Sequence, residues 1–480
     1  MNRLEFIRHA GLIGSGILLN PFKAVSQNTA LEQHTFPFPV VRPSKEQRHF
    51  SSDAIEKAIK EFKTNVKDEE LGWLFENCFP NTLDTTVFLK SKGKEPDTYV
   101  ITGDIDAMWL RDSTAQIWPY LPFMKSDPAL QNLIAGVIGR QTKCILKDPY
   151  ANAFYDDTTK VSEWKDDLTD MKPGIHERKW EIDSLCYPIR LSYHYWTETK
   201  DTSPFNEQWK LCIKTILKTF KEQQRKENQG PYTFQRTTSW ATDGVPLSGY
   251  GYPVKPNGLI CSTFRPSDDA TVFSYLIPSN FFAVVSLRQA SAMISSIFND
   301  HDLAKELDAL ATEVMSALQN SSTINHPQFG KIYAYEVNGM GSCNLMDDAN
   351  VPSLLSLPYL GAVESNDEVY RNTRKFLLSD NNPFYYKGTA GDGIGGPHAG
   401  ADMIWPLSII IKGLTSNDDK EIKDCIRTLK LTHGGTGLMH ESFHKDDPKK
   451  FTRKWFAWAN TIFGEFLWKV YKTKPQLLIS

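Results

Sequence analysis

The chain has 480 residues, of which 40% are hydrophobic and 23% are charged, and its formal net charge is −3 at pH 7. These are ordinary values for a globular protein, and the length allows one large domain or two to three smaller ones. A net charge this close to zero gives no electrostatic reason to expect binding of nucleic acid or of an acidic membrane surface.

The first 26 residues predict an export signal. Arg3 and Arg8 supply positive charge, residues 10–19 are apolar but too short to span a bilayer, and residues 24–26 (Ala-Val-Ser) resemble a signal-peptidase cleavage site. An amphipathic N-terminal helix is the alternative. No later segment approaches transmembrane length. We therefore expect residues 1–26 to be removed, and residues 27–480 to be exported to the periplasm without stable membrane insertion.

Apolar residues recur every three or four positions in seven segments, which is typical of helices that face a core. These segments are residues 52–67, 130–145, 209–228, 281–297, 303–318, 367–377 and 420–429. Strand-like alternation is brief and is limited to residues 98–102, 232–236 and 331–337. The sequence therefore predicts an all-α fold with short β segments in its loops. Because no Pro-, Ser- or Gly-rich linker divides the chain, we expect one catalytic domain over residues 27–480.

A short cluster of acidic, Arg or Trp residues, followed at once by an apolar helix-like run, recurs six times. One residue of each cluster serves as an anchor, and the anchors are Asp112, Asp183, Asp268, Asp348, Asp402 and Asn460. The intervals run from 54 residues (348 to 402) to 85 residues (183 to 268), which leaves room for one helix out and one back. Such spacing predicts a closed toroid of six helical hairpins, an (α/α)6 barrel. The polar helix starts would then gather in one pocket rich in carboxylates and aromatic rings, which indicates sugar chemistry.

Two motif matches lack the context that their chemistry requires. Residues 440–444 match the HExxH motif of zinc proteases, but glycines before them and residues 446–448 (Asp-Asp-Pro) after them argue against the necessary helix. Residues 391–396 match GxGxxG, but Pro397 follows at once and no buried strand precedes. The seven scattered cysteines form no CxxC pair, which argues against a disulfide framework or a zinc cluster. We therefore expect no metal and no cofactor.

Glycoside hydrolysis needs one carboxylic acid that protonates the leaving oxygen and a second carboxylate across the sugar ring. The candidates are Asp104, Asp106, Asp112, Glu181, Asp183, Asp268, Asp269, Asp347, Asp348, Asp402, Glu441 and Glu465. Helix capping explains most of them, because acids are favoured at helix N-termini. Glu441 fits that explanation poorly, since it lies between two histidines in a loop that follows glycines. Asp268 and Asp269 stay open, because one can cap a helix while the other faces the pocket.

Residues 102–113, 265–269 and 437–443 together resemble glycoside hydrolase family 125, and the resemblance extends over nearly the whole chain after the signal. It implies a metal-independent, inverting exo-α-1,6-mannosidase with an (α/α)6 barrel, acting on α-linked mannose oligosaccharides such as mannan or N-glycan fragments. It implies Asp268 as general acid, with a one-residue uncertainty toward Asp269, and Glu441 as general base. The sugar contacts that it implies are Asp104, Trp109, Arg111, Asp112, Arg265, His398 and His440.

On this interpretation the pocket must keep the acid protonated, so we expect burial or a neighbouring carboxylate such as Asp269 to raise the pKa of Asp268. The nearest alternative is another (α/α)6 glycosidase, such as a glucosidase or a trehalase-like hydrolase. An exported zinc metalloprotease and a non-catalytic glycan-binding protein are weaker alternatives.

Overall fold

Helices are the main elements of the fold, and a computed structural model describes them over residues 38–90 and 95–479. Backbone contacts divide the chain into Met1–Val40 and Val41–Ser480, and the elements below belong to the second unit. The predicted export signal, residues 1–26, lies outside the described residues, so it stays a prediction. The described chain contains fourteen α-helices: α1 Asp53–Asn65, α2 Glu69–Cys78, α3 Asn81–Thr85, α4 Leu110–Ile117, α5 Pro128–Lys147, α6 Ile182–Thr199, α7 Glu207–Gln223, α8 Ile277–Phe298, α9 His301–Ser321, α10 Glu368–Leu377, α11 Pro406–Leu414, α12 Asp419–Leu431, α13 Ala457–Thr473 and α14 Gln476–Ile479.

All seven segments predicted as amphipathic helices are helical, and six of them, all but α8, start after a side chain that caps the helix. Asp127 accepts a hydrogen bond from a first-turn N–H of α5, and Asp300 does the same for α9. The largest boundary error is at the end of α7, predicted at residue 228 and found at Gln223. Arg225 adopts a left-handed φ of 53° just beyond that end, a conformation that a helix cannot continue through.

The strands are short and pair only antiparallel, in sheets of two or three strands. They are β1 Val87–Leu89, β2 Thr98–Val100, β3 Met108–Trp109, β4 Ala153–Phe154, β5 Ile175–Glu177, β6 Tyr275–Leu276, β7 Thr323–His326, β8 Gly330–Tyr333, β9 Glu336–Val337, β10 Cys343–Asn344, β11 Tyr385–Lys387, β12 Asp392–Ile394, β13 Met403–Ile404, β14 Ser442–His444 and β15 Asp447–Thr452. The strand predicted at residues 232–236 is wrong, since only Gln235 forms an isolated bridge there, with Leu168.

Five helices that begin at or soon after the recurring polar clusters form the core of the fold. In order of contact they are α11, α13, α4, α6 and α8. A second set packs outside them: α5 contacts α7, α7 contacts α9, and α12 contacts α2. The three sheets β3–β4–β5, β6–β9–β10 and β13–β14–β15 each contain the strand that leads into α4, α8 or α11. The polar starts of the core helices are therefore bordered by these small sheets.

The apolar run after the fourth polar cluster is not a helix, so the helical prediction is wrong there. Residues 355–361 form successive turns, because Pro358 within the run has no N–H to donate to a helical ladder. The segment still lies against the core helices. Tyr187 of α6 donates a hydrogen bond of 2.9 Å to the carbonyl of Val351, and Tyr359 donates one of 2.9 Å to Glu465 of α13.

Helix α8 corrects the expectation that no segment after the N-terminus approaches transmembrane length. The helix has 22 residues, and the mean hydropathy over an 18-residue window within it is 1.4, so by length and composition it could cross a membrane. In this structure 56% of that window is buried inside the protein, where α8 packs against α6 and α9. Its apolar character is that of a core helix.

Two helical glycines provide a matched test of the packing around α13. A Cβ on Gly464 of α13 would lie 2.7 Å from the Cα of Phe79, whereas a Cβ on Gly72 of α2 meets nothing closer than 3.6 Å. We expect Gly464→Ala to lower the free energy of unfolding by ~1–3 kcal/mol through overpacking. Gly72→Ala should instead raise it by ~0.5–1 kcal/mol, because alanine favours helix. Urea unfolding of both variants measures this, and equal effects would show that α13 does not need the close approach.

Candidate active site

The loops before α4 and α13 are joined by their backbones, which brings the first and last polar clusters together. The N–H of Asp104 donates to the carbonyl of Trp455 over 3.3 Å, and the N–H of Ala457 donates to the carbonyl of Thr102 over 3.1 Å. Gly103 makes this possible: its φ is +125°, and a Cβ there would lie 2.4 Å from the Trp455 oxygen.

The guanidinium of Arg111, in the first turn of α4, is surrounded by four carboxylates. Its nitrogens lie 2.7 Å from Glu181 Oε2, 3.3 Å from Asp112 Oδ2, 3.4 Å from Asp183 Oδ2 and 3.4 Å from Asp268 Oδ1. Burial lowers the pKa of Arg111, but these carboxylates outweigh it and hold the pKa well above its usual value. The group therefore stays charged and joins the starts of α4 and α6 to the loop before α8.

Asp268 presents the one carboxyl group of this cluster that is open to solvent: its side chain is 21% exposed, against 7% or less for the other three. Its backbone has a left-handed φ of 68°, in a turn closed by its N–H on the carbonyl of Arg265 at 2.9 Å. Asn152 donates to its Oδ1 over 3.4 Å, and the Lys179 amine donates to its carbonyl over 2.8 Å. A strained non-glycine residue held by this many partners is typical of a functional position.

The adjacent Asp269 has a different environment. It is buried, and its two oxygens accept hydrogen bonds from Thr242 at 2.6 Å and from Ser267 at 3.2 Å. Ser267 also contacts Asp348 at 2.7 Å. Asp269 therefore ties neighbouring loops together, whereas Asp268 faces the opening.

The pKa of Asp268 differs from the expectation that its pocket raises it. Burial does raise the pKa of Asp268, but the charges of Arg111 and Lys179 and a hydrogen bond with Glu181 outweigh burial and hold it well below its usual range. Burial and the negative charge of Asp268, opposed by Arg111, raise the pKa of Glu181 well above its usual range. These opposite directions make Glu181 the more basic carboxyl group of the two.

Glu441 lies in the loop immediately before β14 and is held by donors from β15 and the residue after it. Thr452 donates to Oε2 over 3.0 Å, and Arg453 Nη1 lies 3.4 Å from Oε1. Arg453 also pairs with Asp104, with 2.5 Å between Nη2 and Oδ1. Arg453 thus connects Glu441 to the loop that precedes α4.

The groups around Asp268 and Glu441 belong to one site because Asp112 interacts with the cation on each side, Arg111 and Arg453. Burial raises the pKa of Asp112, Arg111 and Arg453 lower it, and Asp268 raises it further. Asp112 therefore lies within electrostatic reach of the acid side and of the base side. The structure thus assembles five of the predicted site residues: Asp104, Arg111, Asp112, Asp268 and Glu441.

Trp109 and His398 border this group. Trp109 directly precedes α4, and its ring meets His176 edge-on with 5.0 Å between centroids. Its indole N–H is buried and finds no hydrogen-bond acceptor among the described residues. His398 Nδ1 lies 3.9 Å from Asp269 Oδ1, and 12% of the side chain is exposed. Both positions are compatible with the predicted sugar contacts, which stay predictions.

Arg265 and His440 have internal partners. Arg265 Nε donates to Glu336 Oε1 over 2.7 Å in a buried ion pair. The His440 ring stacks on Phe451 with 3.7 Å between centroids, and its Nε2 lies 3.1 Å from Thr436 Oγ1. Each side chain fixes the loop beside a candidate catalytic residue, and their sugar contacts also stay predictions.

Three residues of the site were not among the sequence-predicted ones. Arg453 stands at the start of the sixth polar cluster, so the sequence pattern could have identified it. No sequence pattern marks Asn152 and Lys179, because they reach Asp268 through the long-range pairing of β4 with β3 and of β5 with β4.

The two motif matches have other structures. Residues 440–444 form a loop and the strand β14, so the helix that HExxH requires is absent, as predicted. Residues 391–396 contain β12, which pairs antiparallel with β11 and is not a parallel nucleotide-binding strand. Over residues 38–90 and 95–479, no group of three or more His, Cys, Asp or Glu side chains could hold a metal ion. All seven cysteines are free thiols.

A helix-rich fold with carboxylates gathered at the starts of its core helices defines the protein as a glycoside hydrolase. The sequence model of the metal-independent alpha-mannosidases (GH125) matches residues 68–468, and the chain belongs to that family.

The chain is 44% identical over 459 residues to the meiotically up-regulated gene 157 protein of Schizosaccharomyces pombe, covering 92% of this chain and 90% of that one. A metal-independent alpha mannosidase of Streptococcus pneumoniae, solved in a non-productive complex with α-1,6-mannobiose, superposes with a TM-score of 0.85. It is 41% identical over 89% of this chain and 100% of its own. A bacterial glucoamylase shares the fold alone, with a TM-score of 0.50 and 14% identity over 78% of this chain and 51% of its own.

His440 predicts an acid sensitivity of the base side of the site. Burial lowers its pKa to about 4, from 6.5 in the unfolded chain. A depressed histidine pKa contributes stability that is present above pH 6.5 and is lost as the pH falls toward 4, an effect of ~3 kcal/mol. His440→Gln should therefore lose ~3 kcal/mol less free energy of unfolding over that interval than the wild type.

The matched control is Phe451→Leu, which removes the ring stack but keeps the histidine. It should keep the wild-type pH dependence although it is less stable throughout. Urea unfolding between pH 7 and pH 4 measures the free energy of unfolding of each variant. If this free energy falls equally with pH in the wild type and in His440→Gln, His440 is not a buried neutral histidine.

Proposed function

We propose that the protein is an exo-acting α-1,6-mannosidase that releases non-reducing terminal mannose by an inverting acid–base mechanism. One observation carries the proposal: Asp268 and Glu441 lie on separate loops and pair with separate cations, Arg111 and Arg453, and both cations act on the buried Asp112. Family membership supports mannose as the sugar. The α-1,6 linkage is supported by the mannobiose bound to the Streptococcus pneumoniae relative.

In this mechanism Asp268 protonates the glycosidic oxygen, and Glu441 takes a proton from the water that attacks the opposite face of the sugar ring. Inversion requires the two carboxyl groups to stand about 6.5–9.5 Å apart, so that this water fits between them and the sugar. The exposed face of Asp268 favours contact with the leaving oxygen. Thr452 and Arg453 fix both oxygens of Glu441, which leaves the carboxylate one orientation toward the water.

The remaining predicted residues take roles in binding mannose oligosaccharides, such as mannan or N-glycan fragments. The apolar face of Trp109 would pack on a sugar ring, and its unpaired indole N–H would donate to a hydroxyl. The charged and imidazole groups would bind hydroxyls, and they are Asp104, Arg111, Asp112, Arg265, His398 and His440. Arg111 and Arg265 are already paired, so their first role is to orient the acids around them.

We also propose that the helices form two concentric rings. The inner ring would consist of α4, α6, α8, residues 354–360, α11 and α13, closed by the contact of α13 with α4. The outer ring would consist of α5, α7, α9, α10 and α12, with α1 and α2 completing the sixth pair. This arrangement is an (α/α)6 barrel with the active site at the polar starts of the inner helices.

Export to the periplasm forms part of the proposal and rests on residues 1–26. We expect the protein secreted by a bacterial host to begin near Gln27, because the short apolar stretch and Ala-Val-Ser fit signal cleavage. Intact-mass spectrometry of the exported protein measures this, with a deletion of residues 2–26 as the control that should stay in the cytoplasm. An exported protein that retains Met1 would contradict it.

The acid and base roles predict different responses to the leaving group. Asp268→Asn should reduce hydrolysis of α-1,6-mannobiose by ~10²–10⁴-fold. It should spare a dinitrophenyl α-mannoside, whose leaving group needs little protonation. Glu441→Gln should reduce both activities, because the water is not activated. Steady-state kinetics on the two substrates measures the difference.

NMR of the first product tests the stereochemistry of the same reaction. The wild type should release β-mannose from the α-linked substrate. Initial release of α-mannose would replace the inverting mechanism with a retaining one, and equal losses on both substrates in Asp268→Asn would remove Asp268 as the acid.

A further inference from the structure

The charges of the carboxyl groups around Arg111 are not balanced by its single guanidinium. One guanidinium contacts four carboxyl groups, three of which are almost fully buried. If all four were ionised, three negative charges would remain uncompensated by Arg111. Because a buried charge without a partner is costly, such a group takes up a proton. The excess of carboxyl groups over guanidinium charge therefore favours a protonated member in the cluster.

Geometry selects Glu181 as the place where that proton is stored. Its Oε2 is occupied by Arg111 at 2.7 Å and by the Ser184 hydroxyl at 2.8 Å. Its Oε1 is buried and finds no donor among the described residues. Both carboxyl groups contact the same guanidinium, with Glu181 Oε2 2.7 Å from Nη1 and Asp268 Oδ1 3.4 Å from Nη2 of Arg111. Two neighbouring carboxyl groups can hydrogen-bond only when one of them carries a proton.

The other charged groups around this pair favour the same assignment. Arg111 from α4 and Lys179 before α6 act on Asp268, and His398 from the opposite loop adds to them. Glu181 is 0% exposed, against 21% for Asp268, so ionisation costs more at Glu181. Asp183 and Asp112 add negative charge, and the Tyr232 hydroxyl also faces Glu181. Asp183 contacts Arg111 but forms no hydrogen bond with Asp268 in this arrangement.

We propose that Glu181 stores the proton that Asp268 delivers to the glycosidic oxygen, and so acts as the positioning residue of the general acid. The inference rests on the proposed function, because it requires Asp268 to be the acid. When the sugar covers the exposed face of Asp268, it removes the solvent that stabilises this carboxylate. The proton then moves from Glu181 to the neighbouring carboxylate of Asp268.

The remaining steps balance atoms and charge. The O–H bond on Asp268 breaks as its proton reaches the glycosidic oxygen, and the bond between that oxygen and the anomeric carbon breaks. Water supplies hydroxide to the anomeric carbon and a proton to Glu441. After product release, Glu441 returns its proton to solvent, and Asp268 takes one proton from solvent and passes it back to Glu181.

The test compares Glu181→Gln with Glu465→Gln. Glu465 is a partly buried glutamate of α13, held by Trp118 at 3.1 Å and Tyr359 at 2.9 Å, and burial also raises its pKa. It has no contact with Asp268, so it resembles Glu181 in the direction of its pKa shift but lies away from the acid. Both substitutions keep the size of the side chain.

Glu181→Gln should lower kcat/KM for α-1,6-mannobiose by ~10²–10⁴-fold at neutral pH and move the alkaline limb of its pH profile to lower pH. The loss should shrink in acid, where solvent protonates Asp268 directly. Hydrolysis of the dinitrophenyl α-mannoside should change far less. Glu465→Gln should change both substrates in equal proportion. An unchanged alkaline limb in Glu181→Gln, or equal losses on both substrates, would overturn the proposal.

A spectroscopic measurement keeps the test decisive if Glu181→Gln folds poorly. In Glu465→Gln protein labelled with ¹³C-glutamate, infrared spectra at pH 8 should retain the carbonyl band of one protonated glutamate, and this band should weaken when mannobiose is added. A missing band at pH 8 would refute the storage of a proton on Glu181.

Failure of this proposal can be told apart from failure of the proposed function. If Asp268→Asn loses activity equally on both substrates, Asp268 is not the general acid and the proposed function fails. If Asp268→Asn spares the dinitrophenyl α-mannoside as expected but Glu181→Gln leaves the pH profile unchanged, only the role of Glu181 as proton store fails.

Discussion

The buried guanidinium of Arg111 is the interaction on which the rest of the site depends. Among the residues that the structure describes, it is the one cation that contacts the start of α4, the start of α6 and the turn that carries Asp268. Without it, four carboxyl groups would share a largely buried volume without the cation that contacts all of them, and breaking a buried ion pair in this way costs ~3–5 kcal/mol. The position of Asp268 is therefore a consequence of charge neutralisation among three separate segments.

The polar clusters could be predicted from the sequence because each one precedes its own apolar run. Asp112, Asp183 and Asp268 are up to 156 residues apart (112 to 268), yet all three contact Arg111. The same reasoning failed at residues 354–360, where proline prevents a helix although the apolar pattern suggests one. It also could not find Asn152 and Lys179, since strand pairing over long sequence distances leaves no local pattern.

The protonation of the acid shows a second limit of sequence reasoning. Asp269 is the neighbour of Asp268 in the chain, and its charge was expected to raise the pKa of the acid. The turn at Asp268 directs the two carboxyl groups to different partners, so Asp269 binds Thr242 and Ser267. The carboxyl group that exchanges a proton with Asp268 is Glu181, 87 residues earlier in the chain (181 to 268). Which acids share a proton is decided by tertiary contact and burial.

The acid side and the base side of the site are built in different ways, and the difference fits their proposed tasks. Asp268 stands beside a second carboxyl group, and a pair of this kind holds one proton that can move between its members. Within the described part of the chain, the hydrogen-bond partners of Glu441 are two donors, the Thr452 hydroxyl and the Arg453 guanidinium, and no second carboxyl group is among them. A group that must give up a proton in each cycle thus has a partner that stores one. A group that must accept a proton from water is surrounded by donors that a carboxylate can bind. Two carboxyl groups of the same chemistry are in this way prepared for opposite roles by their neighbours.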